Sequence, residues 1–199
     1  MGFDVEGVDA SETMLANCRR KAGEQGLAPV LYKQSMQTLD LPCRYATIFV
    51  SEGSFQLLDD RERAVESPGC FRRHLAPGGQ LLICTFLPDE ARDFNYSQPK
   101  ATWGPYTRIR DGATILTHLW TDHVNHFEQV KIESRRYEAW LGGTVIESEL
   151  HAMHLRWYYQ HEFAMMLEKA GFISLFPFGD YSDSRANEET GTVTWKATH

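Results

Sequence analysis

The residues of this chain that could do chemistry sit where apolar, β-prone runs stop. Phe3, Val5 and Val8 lead to Asp9, and Ser11 and Glu12 then open a helical spacing of Met14, Leu15, Cys18 and Ala22 that Gly23 and Gly26 close. A carboxylate at the tip of a strand that feeds a helix can accept both hydroxyls of a ribose, which is how open α/β sheets use that position. Asp also starts helices for purely local reasons, so Asp9 carries a nucleotide-binding and a capping reading. Further on, the apolar run Tyr45 to Val50 ends in Ser51-Glu52-Gly53-Ser54-Phe55-Gln56. A glycine there lets backbone approach a ligand, or simply makes a turn.

His118, His123, His126, His151 and His154 invite a metal reading, because neutral imidazole is the commonest transition-metal ligand. Strand alternation opposes it: His123 falls on the face away from His118 and His126, and His151 is split from His154. No metal centre is expected. Trp103, Tyr106, Trp120, Trp140, Trp157, Tyr158 and Tyr159 could line a pocket for an apolar or cationic substrate, with core packing as the competing role. If a proton must be taken from an acceptor, Tyr106, His118 and Tyr158 are the candidates.

The elements that must position these groups follow an α/β order. Val30 to Lys33 reads as a short strand, and Gln34-Ser35-Met36 and Pro42 lie in a loop. The continuous apolar character of Tyr45 to Ser51 suits a strand covered on both faces. Asp60 to Leu75 reads as a helix interrupted near Pro68-Gly69, Ala76-Pro77-Gly78-Gly79 as its stop, and Gln80 to Phe86 as a strand. Strand, helix, strand, strand, helix, strand implies a parallel sheet with right-handed crossovers. From 103 to 156 the pattern changes to long β-like runs, 109–121, 127–140 and 144–155, with turns expected at Asp122-His123-Val124-Asn125 and at Gly142-Gly143. An antiparallel addition is expected there, roofing the site or pairing with a second subunit. Phe163, Met166, Leu167 and Ala170 restore helical spacing, and 172–178 and 192–197 read as closing strands.

Composition narrows the class. With 199 residues, 42% hydrophobic, the chain can form one ordinary domain with a real core, with no linker or repeat. A net charge of −7 without a basic stripe argues against a nucleic-acid partner. No apolar run is long enough to cross a bilayer and no signal-peptide order opens the chain, so a cytoplasmic location without a membrane partner is the default. Cys18, Cys43, Cys70 and Cys84 lack C-x-x-C spacing and read as reduced thiols.

Three segments together carry a resemblance. Gly7-Val8-Asp9-Ala10-Ser11 with Met14-Leu15, the strand Ala46 to Val50 with Gly53-Ser54-Phe55-Gln56, and Arg73-His74-Leu75-Ala76-Pro77-Gly78-Gly79-Gln80-Leu81 resemble, in order and spacing, class I S-adenosylmethionine-dependent methyltransferases. The branch is that of small-molecule enzymes such as sugar and glycine N-methyltransferases, and Tyr158-Tyr159 through Glu168-Lys169-Ala170-Gly171-Phe172 extends the similarity over nearly the whole chain. The resemblance implies a Rossmann-like, mostly parallel sheet with an antiparallel terminal strand, S-adenosylmethionine as cofactor, and methyl transfer to N or O of a small molecule. Asp9 would hold the ribose, Ala10 would lie against the adenine, Ser35 and Met36 along its amino edge, and Ser51 and Glu52 beside the methionine moiety. At Ser35 the family more often has Asp, though a hydroxyl can also accept.

The family's first strand and Gly-rich loop have no counterpart before Gly2. The expectation is therefore a reading frame that continues upstream, a piece of a longer chain, or loss of half the site. In the implied sheet that strand is central, so without it the two halves should pair directly, borrow a strand, or fold poorly. Two other readings are a non-catalytic methyltransferase-like interaction protein and a dinucleotide-dependent oxidoreductase, which also carries an acidic residue at the end of its second strand. The glycines at 78 and 79 and the closing strand pair favour a methyltransferase over the oxidoreductase.

Overall fold

The computed structural model describes residues 2–58, 60–96 and 100–199; Met1 lies outside them. In chain order the elements are β1 (Glu6–Asp9), α1 (Glu12–Glu24), β2 (Val30–Lys33), β3 (Tyr45–Val50), α2 (Arg61–Arg73), β4 (Leu75–Phe86), α3 (Asp89–Arg92), β5 (Ala101–Thr107), β6 (Thr114–Asn125), β7 (Val130–Leu141), β8 (Thr144–Arg156), α4 (Gln160–Lys169), β9 (Ser174–Gly179) and β10 (Thr192–Thr198). The fold is α/β and Rossmann-like. β3 and β4 run parallel, β10 lies antiparallel between β4 and β9, and β1 pairs parallel with β2. No helix among the described residues is long and apolar enough to cross a membrane.

One face of the β3-β4-β10-β9 sheet forms the core. Leu81, Ile83, Trp195 and Ala197 pack with Ala64 and Phe71 of α2 and Phe163, Met166 and Leu167 of α4. Phe49 points the other way and is 63% exposed, so β3 is not covered on both faces as its apolar run implies. The two halves of the sheet do not pair directly either. Neither β1 nor β3 has a strand partner on its second side among the described residues. Tyr45 Oη donates to Glu6 Oε2, joining the starts of the two strands through side chains rather than backbone. Loop contacts hold the halves together further out: Leu41 N donates to His74 Nε2 at 3.0 Å and Cys70 Sγ donates to the Gln37 carbonyl at 3.1 Å.

Two local expectations change. Pro68 does not interrupt α2, because its missing N–H removes one helical bond while Ser67 Oγ donates to the Arg63 carbonyl at 2.7 Å and Ala64, Ser67, Pro68 and Phe71 are buried on the core. Asp60 Oδ1 caps the helix by accepting from Arg63 N at 3.1 Å. The segment expected to turn at Asp122 instead continues as β6 to Asn125, with a register shift between Thr121 and His123. Asp122 supplies the reason: its carboxylate accepts from Trp120 Nε1 at 2.8 Å and Ser134 Oγ at 2.5 Å, which draws one residue out of register. The strict alternation used above to separate the histidines therefore breaks between His118 and His123.

β5-β6-β7-β8 form the antiparallel addition. Gly142 and Gly143, with φ of 58° and 81°, make the tight turn expected of them. The addition is fastened to the end of β4 by buried charge. Lys131 Nζ lies 3.2 Å from Glu133 and 3.6 Å from Glu90 of α3, and Thr121 Oγ1 donates to Glu90 at 3.0 Å. Burying such a lysine is tolerable only with its carboxylates in place.

Candidate functional site

β1, β2 and β3 end in the residues singled out by sequence. Asp9, half-buried, accepts from Ser11 N through Oδ1 at 2.7 Å, while Ser11 Oγ accepts from Met14 N at 3.3 Å and starts α1. The capping reading of Asp9 is thus realised with one oxygen. Its Oδ2 has no hydrogen-bond partner among the described residues, and Ala10 beside it is exposed. Lys33, paired with Asp9 across the parallel ladder, leads to Ser35, whose Oγ lies 3.1 Å from Thr38 Oγ1, and to Met36, which packs against the core.

After β3 the backbone turns sharply. Ser54 N donates to the Ser51 carbonyl at 3.0 Å, and Glu52 and Gly53 both take left-handed φ, 53° and 65°. Gly53 is required on two counts: its φ, and a Cβ there would lie 2.5 Å from the Phe86 ring. A non-glycine held left-handed, as Glu52 is, costs energy and is the kind of strain that gathers at functional sites. Glu52 Oε1 accepts from Tyr181 Oη at 3.4 Å, and that hydroxyl lies 3.3 Å from Cys84 Sγ. The hydrogen bond with Cys84, burial and the Glu52 charge all push the Tyr181 hydroxyl up and keep it protonated.

Gln56 locks this turn. Fully buried, it donates through Nε2 to the carbonyls of Phe86 and Arg156, both at 3.0 Å, and accepts from Phe86 N through Oε1 at 2.7 Å. One side chain thereby joins the turn after β3, the end of β4 and the end of β8.

The candidate proton acceptors stand apart. Tyr158 is buried against Phe55 and Phe163, with ring centroids 5.6 and 5.5 Å away. Burial pushes its hydroxyl up. His118 on β6 lies 3.1 Å from Thr102 Oγ1 through Nδ1 and 3.3 Å from Glu138 Oε2 through Nε2. Burial raises the Glu138 carboxyl, but hydrogen bonds from His118 and Trp140 outweigh it and hold it low. Tyr106 on β5 is 60% exposed. The six candidate cofactor residues thus occupy the ends of consecutive strands, while the three proton acceptors lie on the antiparallel sheet and in the α2–α4 core. Tyr181 was missed by sequence reasoning because it lies in a polar loop with no periodicity; Gln56 was visible within a motif but its role was not.

With this geometry in hand, the comparisons are informative. Residues 1–83 match the family model described as methyltransferase domain. No curated protein matches the chain. Among solved structures, an S-adenosylmethionine-dependent methyltransferase from Clostridium acetobutylicum superposes with a TM-score of 0.78 at 15% identity, over 96% of this chain and 72% of that one. The sugar N-methyltransferase KedS8 from Streptoalloteichus gives 0.70 at 18%, over 98% and 70%. The amino pentose methyltransferase CalS10 from Micromonospora echinaspora, solved with S-adenosylmethionine bound, gives 0.69 at 18%, over 98% and 74%. The fold is theirs.

Replacing Gln56 with Leu leaves the Phe86 N–H and two carbonyls without partners in a buried place, each worth about 1–3 kcal/mol. Denaturant melts of the Gln56→Leu variant should show a loss of about 3 kcal/mol or more. A loss under about 1 kcal/mol would mean that the clamp is dispensable.

Proposed function

We propose that this chain, with a methyltransferase-domain match over its first 83 residues and the fold of S-adenosylmethionine-dependent methyltransferases, binds that cofactor and serves methyl transfer to an amine of a small molecule such as an amino sugar. The observation that carries the reading is the half-satisfied Asp9: one carboxylate oxygen starts α1, and the other is left at the strand tip without a protein partner. That is the chemistry a ribose diol needs. Ala10 is open to an adenine face, Ser35 and Met36 border it from the end of β2, and Ser51 and Glu52 border the methionine end. When bound, S-adenosylmethionine supplies a methyl group activated by its sulfonium. The residues of this chain then orient the acceptor and keep water away from it.

An amine acceptor is favoured because it needs only to be neutral, and none of the three proton-acceptor candidates is among the partners of Glu52. For a hydroxyl acceptor His118 suits the role best, since the Glu138 carboxylate 3.3 Å away stabilises its protonated form. The open edges of β1 and β3 leave the methionine end bordered on fewer sides than the ribose end, so turnover should be weaker than binding.

The same sheet architecture suggests a homodimer. β8 is a 13-residue edge strand exposed along most of its length, with Val145, Ile146 and Leu150 among its exposed apolar residues. A long edge of this kind is a template for pairing with a second copy.

Asp9→Ala should remove most affinity for S-adenosylhomocysteine, because two charge-assisted hydrogen bonds of about 1.5–3 kcal/mol each would be lost. Calorimetric titration reads it, and equal, measurable affinities would refute the assignment. For assembly, sedimentation should show dimer at micromolar concentration; a monomer throughout the micromolar range would rule the β8 interface out.

A further inference from the structure

Between α2, α4 and the β6–β7 turn lies a cavity of about 470 Å³ that none of the strand-end residues enters. Its size is within the roughly 300–1,000 Å³ usual for small-molecule pockets. Val65 and Met166 give it apolar surface, and Tyr158 also lines it. Tyr158 is 5% exposed, and its hydroxyl is buried with no hydrogen-bond partner. Native proteins seldom leave such a group unpaired, and a polar atom aimed into a cavity awaits something that can accept from it.

The charges around that hydroxyl decide what the occupant is. Arg156 and Arg61 favour its ionised form and Glu162 disfavours it, so all three act on the hydroxyl; burial prevails and the phenol stays a donor. Glu162 is already engaged, accepting from Gln129 Nε2 at 2.8 Å and from Tyr159 N at 3.3 Å. The field at the hydroxyl is therefore that of two guanidinium groups against one satisfied carboxylate, which selects an anion over a cation. Glu62 and Glu66, on the α2 side of the lining, oppose a polyanion. We propose that this cavity binds a small amphipathic monocarboxylate, its apolar body on Val65 and Met166 and a carboxylate oxygen accepting from the Tyr158 hydroxyl.

The probes are 3-phenylpropionate, its amide and phenethylamine, titrated calorimetrically into the full chain and into Tyr158→Phe and Arg61→Gln. The carboxylate alone should saturate, about tenfold more weakly in Tyr158→Phe, and with a smaller dependence on salt in Arg61→Gln. Free Tyr158→Phe should melt no lower than the unaltered chain, because the atom it removes has no partner. An S-adenosylhomocysteine titration run beside these reports the strand-end site separately, so failure of one reading is distinguishable from failure of the other. The proposal is overturned by absence of saturation with the carboxylate, by tighter binding of the amine, by equal affinity in Tyr158→Phe, or by a lower melting temperature of that variant.

Discussion

Everything at the carboxyl end of the sheet depends on the buried amide of Gln56. Its contacts with Phe86 and Arg156 fasten the turn after β3 to the end of β4 and to the last residue of β8. A buried amide must satisfy its donors and acceptor, and here each partner is a backbone group of a different or neighbouring segment. The same turn carries the left-handed Glu52 and Gly53, and the Phe86 ring closes against Gly53 so tightly that no side chain fits. The position of Glu52 thus follows from a clamp one turn away.

The amino half is held differently. β1 and β2 form their own small sheet, and they connect to the rest through Tyr45 with Glu6 and through the loop contacts of Leu41 and Gln37. Side-chain bonds of this kind stabilise less than a shared strand ladder does. In α1 only Leu15 is buried, and Met14 is 56% exposed, so the helix rests lightly on its strands. Asp9 is therefore placed by local geometry, the turn to Ser11, more than by packing.

Much of this was legible in the sequence, for identifiable reasons. The strand ends at Asp9 and Ser51, the glycine turn at 142–143 and the antiparallel closing strands were written in periodicity and turn chemistry, which are local. What escaped was set by partners far along the chain. Pro68 stays helical because its neighbours are buried, and β6 passes the expected turn because Asp122 is engaged by Ser134 of the next strand. Tyr181 reaches Glu52 from 129 residues away, across a loop whose composition gives no hint of it. The one-sided covering of β3, with Phe49 exposed, likewise could not be read from an apolar run alone.

The central claim is that the ends of β1, β2 and β3 together form a cofactor site. Amide hydrogen exchange with and without S-adenosylhomocysteine tests it most directly, because each strand end carries amides of its own. The account predicts added protection at Ala10 and Ser11, at Ser35 and Met36, and at Glu52 and Gly53, with little change in β5 to β8. Protection confined to the antiparallel sheet, or none at saturating ligand, would contradict it.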